Sequence, residues 1–205
     1  WYVVQALPYM MEYPYDCAEQ IFTRFYANSI ASNIVRSSPK MKQVFDQWSK
    51  SSPDAFLSNL EKNEQLKALI LEETPWVLEA NDQSERKKRV ALLFDFNKMD
   101  NELAKNLSKL KEAQVSNGGF PWFPGMPESR YVTQYIVSGL GHLNQLNITS
   151  VKENRDIKKM TENAVKYLDD RMLEDYKELK KRNLLTKDYF VSQYLVQYIY
   201  ARTFF

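Results

Sequence analysis

The chain has 205 residues, of which 44% are hydrophobic, 14% aromatic and 26% charged, with a net charge of +2. That length supports one sizeable core or two small ones, and the near-neutral balance gives no case for nucleic acid or an acidic membrane surface as a partner. Five glycines are too few for a fold of many tight β-turns, no apolar run reaches the length of a membrane span, and a single cysteine excludes an internal disulfide.

Taken in chain order, the signals are helical almost throughout. No charged-then-apolar leader opens the sequence at Trp1. Asp16 reads as an N-cap, with Glu19 three residues on as in a capping box. Ile21, Phe22, Phe25, Tyr26, Ser29, Ile30 and Ile34 then recur at helical spacing. Ser37-Ser38-Pro39 stops that helix and starts one carrying Met41, Val44, Phe45 and Trp48. Ser51-Ser52-Pro53 does the same ahead of Leu57, Leu60, Leu66, Leu69 and Ile70. A short segment opens at Thr74-Pro75-Trp76, and the pattern is helical again over 84–93.

A strong helix is expected over 100–114, with Leu103, Leu107 and Leu110 on one face. One glycine-rich loop follows, Asn117-Gly118-Gly119-Phe120-Pro121-Trp122-Phe123-Pro124-Gly125. Helices are then expected near 130–146, 154–182 and 187–205. No segment of period two competes. The expectation is all-α, about eight helices joined by short loops. The last of them runs to Phe204-Phe205 still in an apolar pattern, so the chain reads as a piece of a longer protein.

Several local signals have ordinary explanations. Glu85-Arg86-Lys87-Lys88-Arg89 reads as the solvated face of a helix. Asn106-Leu107-Ser108 and Asn147-Ile148-Thr149 match the glycosylation triplet, the first inside an amphipathic helix, and both read as coincidence. Asp169-Asp170 reads as an exposed helix face, and His142 as a structural or surface residue. One Cys and one His are too few ligands for an enzyme zinc site built on Cys and His, and no metal or cofactor is expected.

The chemically suggestive stretch is Tyr13-Pro14-Tyr15-Asp16-Cys17-Ala18-Glu19-Gln20. Side chains three apart on a helix lie about 5–6 Å apart at Cβ, so the Cys17 sulfur can meet the Gln20 carboxamide. Loss of ammonia would then leave an internal thioester. At a helix start the unpaired N–H groups and the positive dipole end favour the Cys17 thiolate, the leaving group when that bond is opened. Tyr13, Tyr15, Phe22 and Tyr26 could keep it dry. With 15 glutamates and 11 glutamines in the chain, Glu at +2 and Gln at +3 of the one cysteine arise by chance roughly once in 250.

These residues resemble the Cys-x-Glu-Gln thioester motif of the alpha-2-macroglobulin and complement family, and the aromatic-proline lead-in is similar to its bacterial branch. Leu110-Lys111-Glu112-Ala113-Gln114, the Gly118-Gly119-Phe120-Pro121-Trp122-Phe123 loop and Tyr131-Val132-Thr133-Gln134-Tyr135 resemble the helix–loop–helix that follows in the same domain. Asp16 departs from the family pattern, which has glycine there, and adds negative charge beside the sulfur.

The resemblance implies a single thioester domain over 1–205 within a larger multidomain protein. Its fold would be an α/α toroid of antiparallel helical hairpins. A full ring needs twelve helices, so either the count of eight is short or the chain holds part of the ring. The implied function is broad-spectrum protease inhibition, a non-enzymatic host-defence role. The Cys17–Gln20 thioester, with Tyr13, Tyr15, Asp16 and Glu19 around it, acylates lysine amines of an attacking protease. Glu19 is read as a capping residue. Partners would be target proteases, held covalently, and other domains of the parent chain, with no nucleic acid and no membrane insertion by this segment. The implied location is the bacterial periplasm or cell surface, through a lipoprotein anchor if there is one. In some members a histidine attacks the thioester first; its later segment is not matched here, so direct attack by amines is implied. Two alternatives stand: an interaction domain without a thioester, and a cyclase- or prenyltransferase-like enzyme on the same toroid.

Overall fold

A computed structural model of the chain describes residues 16–37, 40, 43, 96–148, 153–186 and 190–205. Tyr13 and Tyr15 lie outside them. So do the helices read over 53–70 and 84–93, most of the one over 41–48, the segment at 74–76 and the charge run at 85–89.

Among the described residues there are five helices: α1 (Ala18–Ser37), α2 (Phe96–Ala113), α3 (Arg130–Gln145), α4 (Arg155–Lys181) and α5 (Gln193–Arg202). The expected all-α class holds. The one departure lies in the glycine-rich loop, where β1 (Phe120–Pro121) and β2 (Glu128–Ser129) pair antiparallel, Phe120 opposite Ser129. Two-residue strands are too short to carry a period-two signal, so periodicity could not announce them.

The caps explain the boundaries. The Ser129 hydroxyl accepts from the Val132 N–H at the start of α3. The Asn154 side chain accepts from Asp156 and Ile157 at the start of α4. α5 begins six residues later than the apolar pattern suggested, because Ser192 caps it through the Leu195 N–H. α3 and α4 end alike: Asn147 and Asn183 both take φ of 53°. The following N–H groups, of Ile148 and Leu184, reach back to the carbonyls of Leu143 and Leu179 at 3.2 and 3.0 Å. Asn147 of the second glycosylation triplet is thus a helix-stopping residue. Asn106 of the first is buried inside α2.

Contacts divide the chain into two compact units. In the unit that includes Ala31–Asn101, Met99 is buried, and Arg36 grips Asp100 through both carboxylate oxygens at 2.6 and 2.8 Å. The other unit, Tyr13–Ile30 with Glu102–Phe205, holds the apolar core. Ile21, Phe22 and Phe25 of α1 meet Leu110 of α2, Phe120 of β1 and Val132, Ile136, Leu140 and Leu143 of α3. Ile157, Met160, Ala164 and Leu168 of α4 and Ala201 of α5 complete it. The α1–α3 approach is close: a Cβ on Gly139 would sit 2.4 Å from the Phe22 ring. His142 lies across α3 and α5, its Nε2 2.6 Å from the Tyr200 hydroxyl and its ring edge-on to Phe204. Asp169 of α4 accepts from the Tyr198 hydroxyl at 2.7 Å and pairs with Arg202 at 3.1 Å. The exposed face expected for Asp169-Asp170 therefore holds for Asp170 alone.

Candidate functional site

The glycine-rich loop is built before the site can be. Gln114, at the end of α2, donates from Nε2 to the carbonyls of Gly118 (3.0 Å) and of Met160 on α4 (2.8 Å). Gly118 has φ of +92°, and a Cβ there would lie 2.2 Å from the Asn163 carbonyl oxygen. Only glycine fits that conformation and that approach. The Asn117 side chain accepts from the Gly119 N–H and donates to Glu128. The Phe120 N–H is taken by the Thr133 hydroxyl at 2.9 Å. These bonds set the path of the next residues, so Trp122 stacks on Tyr131 with centroids 5.8 Å apart, and its carbonyl faces the start of α1.

That carbonyl fixes the helix start. The Ala18 N–H donates to the Trp122 carbonyl at 3.0 Å, and the Ile21 N–H donates to the Cys17 carbonyl at 2.9 Å. Cys17 therefore occupies the N-cap position, not Asp16. Counting from Cys17 puts Gln20 at the third helical position. N-cap and third position are the pair that a capping box links, each side chain to the other's backbone N–H. The expected Asp16–Glu19 box is displaced by one residue, and Cys17 and Gln20 take its register.

Cys17 is only 4% exposed; Gln20 is half-buried on the first turn. One of the N–H groups expected to favour the thiolate, that of Ala18, is already bound to Trp122. Phe22 is a core residue, edge-on to Tyr135 at 5.7 Å, with Tyr26 half-buried beside it at 6.1 Å. Of the four residues expected to cover the pair, Phe22 is thus part of the core and Tyr26 packs on it.

Glu19 does not cap. One carboxylate oxygen lies 3.9 Å from the Cys17 sulfur, at the long limit for a thiol donor, and the other lies 3.4 Å from the Thr23 hydroxyl. Thr23 donates to the Glu19 carbonyl at 2.9 Å and lies 3.0 Å from the Tyr135 hydroxyl. Burial pushes the Tyr135 phenol up, so it stays protonated at neutral pH.

Asp16 is drawn outward instead of capping. It binds the Arg24 guanidinium and, at 2.6 Å, the Lys109 ammonium of α2. Arg24 is buried, and its Nε lies 3.5 Å from the Asn106 side-chain oxygen. The Lys109 bond, opposed by partial burial and helped by Arg24, holds the Asp16 carboxyl below its ordinary 3.8. A lowered folded value means that the triad stabilises the fold above pH 3.8 and loses this as pH falls through and below that value.

The two stretches singled out in the sequence, Asp16–Gln20 and the 118–125 loop, are thus brought into direct contact. Sequence reasoning did not assign Thr23, Arg24, Lys109 or Tyr135 to this site. Nothing local marks them, since each is recruited from a helix face that reads as ordinary. Among the described residues no group of His, Cys, Asp or Glu side chains is placed to hold a metal ion, and no helix is long and apolar enough to cross a membrane. Comparison with protein-family models, curated proteins and solved structures found no match.

Proposed function

We propose that this chain is the thioester domain of a bacterial alpha-2-macroglobulin-like protease inhibitor, and that Cys17 and Gln20 form its internal thioester. The observation that supports the reading is the register of α1: with Cys17 as the N-cap, Gln20 is the third helical residue, so both side chains belong to the first turn. In forming the bond, the Cys17 sulfur attacks the Gln20 carboxamide carbon and ammonia leaves. In opening it, a lysine amine of the attacking protease adds to the same carbon, the C–S bond breaks, and the amine proton ends on Cys17. The result is one covalent capture per molecule, not turnover.

Asp16, the departure from the family pattern, supports the reading once its partners are counted. Its carboxylate is balanced by Arg24 and Lys109, and the carboxylate nearest the sulfur is that of Glu19, at 3.9 Å. His142 is engaged by Tyr200 and Phe204, which favours direct attack by amines over an acyl-imidazole. Helical hairpins such as α4–α5 suit an α/α toroid, and the periplasm or cell surface suits the role. Against the enzyme reading on the same scaffold, Asp169 accepts from Tyr198 and pairs with Arg202. The interaction-domain reading draws on one observation, the exposed apolar side chains of α4 and α5.

Intact mass decides. The freshly folded full-length protein is expected to weigh one ammonia less than its sequence, with Cys17 inert to thiol reagents until methylamine releases it. Cys17→Ala abolishes both. A full sequence mass with a freely titrating thiol would sink the reading.

A further inference from the structure

We propose that Lys109 is an internal acyl acceptor for the Gln20 acyl group, restrained by Asp16, so that the domain carries its own competing amine under lock. This rests on the thioester reading above. The Lys109 ammonium is 2.6 Å from one Asp16 carboxylate oxygen, and the other oxygen is bound by Arg24. Asp16 directly precedes Cys17. Arg24 lies four residues beyond Gln20 on the same face of α1, and long helical side chains lean toward the N-terminus. The guanidinium that reaches Asp16 therefore runs along the turn that carries Gln20. Lys109, on its flexible four-carbon stem, is held against Asp16, the residue before Cys17 at the N-terminal end of α1.

An amine attacks only as the free base. The Asp16 carboxylate, 2.6 Å from the Lys109 ammonium, fixes where it sits. Arg24 cannot serve as a rival nucleophile, because its guanidinium stays charged. Without the carboxylate, Lys109 loses its anchor, and its flexible stem is free to swing along the first turn of α1 toward Gln20. The step balances: Lys109 Nζ bonds to the Gln20 carbonyl carbon, the C–S bond breaks with its electron pair going to sulfur, and the amine proton ends on Cys17. The product is a Gln20–Lys109 amide beside a free thiol. The departure at position 16 then has a use, in guarding against self-capture.

The test uses the full-length wild type, Asp16→Asn, Asp16→Ala, Lys109→Arg and Asp16→Asn/Lys109→Arg, with circular dichroism as the folding control. The wild type is expected to show the ammonia deficit and a blocked thiol. Asp16→Asn and Asp16→Ala should keep the deficit but titrate one thiol without methylamine, and digestion should yield a peptide joining Gln20 to Lys109. Adding Lys109→Arg should abolish that peptide. If Asp16→Ala folds poorly, the near-isosteric Asp16→Asn decides. Thiols that stay blocked in the Asp16 variants, or that open only by uptake of water, overturn the guard while the thioester stands. A wild type with no ammonia deficit overturns both.

Discussion

The stretch 114–129 and the stretch 173–199 are both rich in aromatic and large aliphatic side chains, and their physical situations are opposite. In the first, the Gln114 amide, the Asn117 amide and the Phe120 N–H all find partners, and Phe120 is fully buried. Of its exposed large side chains, Trp122 at 40% is stacked on Tyr131, while Phe123 and Met126 are about half exposed. In the second, Leu173, Tyr176, Leu185, Val191, Val196 and Ile199 are exposed, and Phe190 is 88% exposed. The difference shows what composition leaves undecided. An apolar stripe states that a helix has a face, whereas close polar satisfaction of a loop states that its neighbours are already in place.

Three substitutions would sharpen or break that contrast. The largest effect is expected for Gly118→Ala, which forces a Cβ into the Asn163 backbone at a positive φ. A loss of at least about 2 kcal/mol in chemical unfolding is expected, with displacement of Trp122 slowing any thioester formation. Gln114→Ala comes next. It leaves the Gly118 and Met160 carbonyls short of a donor and should cost about 1–3 kcal/mol. The smallest effect is expected for Ile199→Thr on the exposed face of α5, within about 0.5 kcal/mol of wild type by the same measurement. A loss above 2 kcal/mol for Ile199→Thr would show that this face is covered in solution and would erase the contrast.

Much of the site was legible, though unevenly. The Cys17–Gln20 spacing is a local property, so sequence was enough to place both side chains on one turn. The cap was misassigned for a physical reason. Asp16 is the better capping residue by intrinsic preference, but Lys109 and Arg24 offer it charge-assisted bonds, and the Trp122 carbonyl claims the Ala18 N–H. Lys109 and Trp122 come from elements whose position no local pattern reveals, whereas Arg24 lies about two turns along α1 itself. Glu19 followed the same course, losing its capping role once the register moved by one residue.

What the sequence determined alone was the local part: helical periodicity, the asparagine and serine caps, the glycine that only a tight loop approach requires, and a thiol three residues before a carboxamide. Those depend on interactions within a turn or two, which the chain carries wherever it goes. Tertiary structure decided which residue became the N-cap, which cations neutralised Asp16, and which apolar face was buried. Each of these is a competition that includes partners far apart in the chain, Lys109 and Trp122 among them, and only folding brings those together.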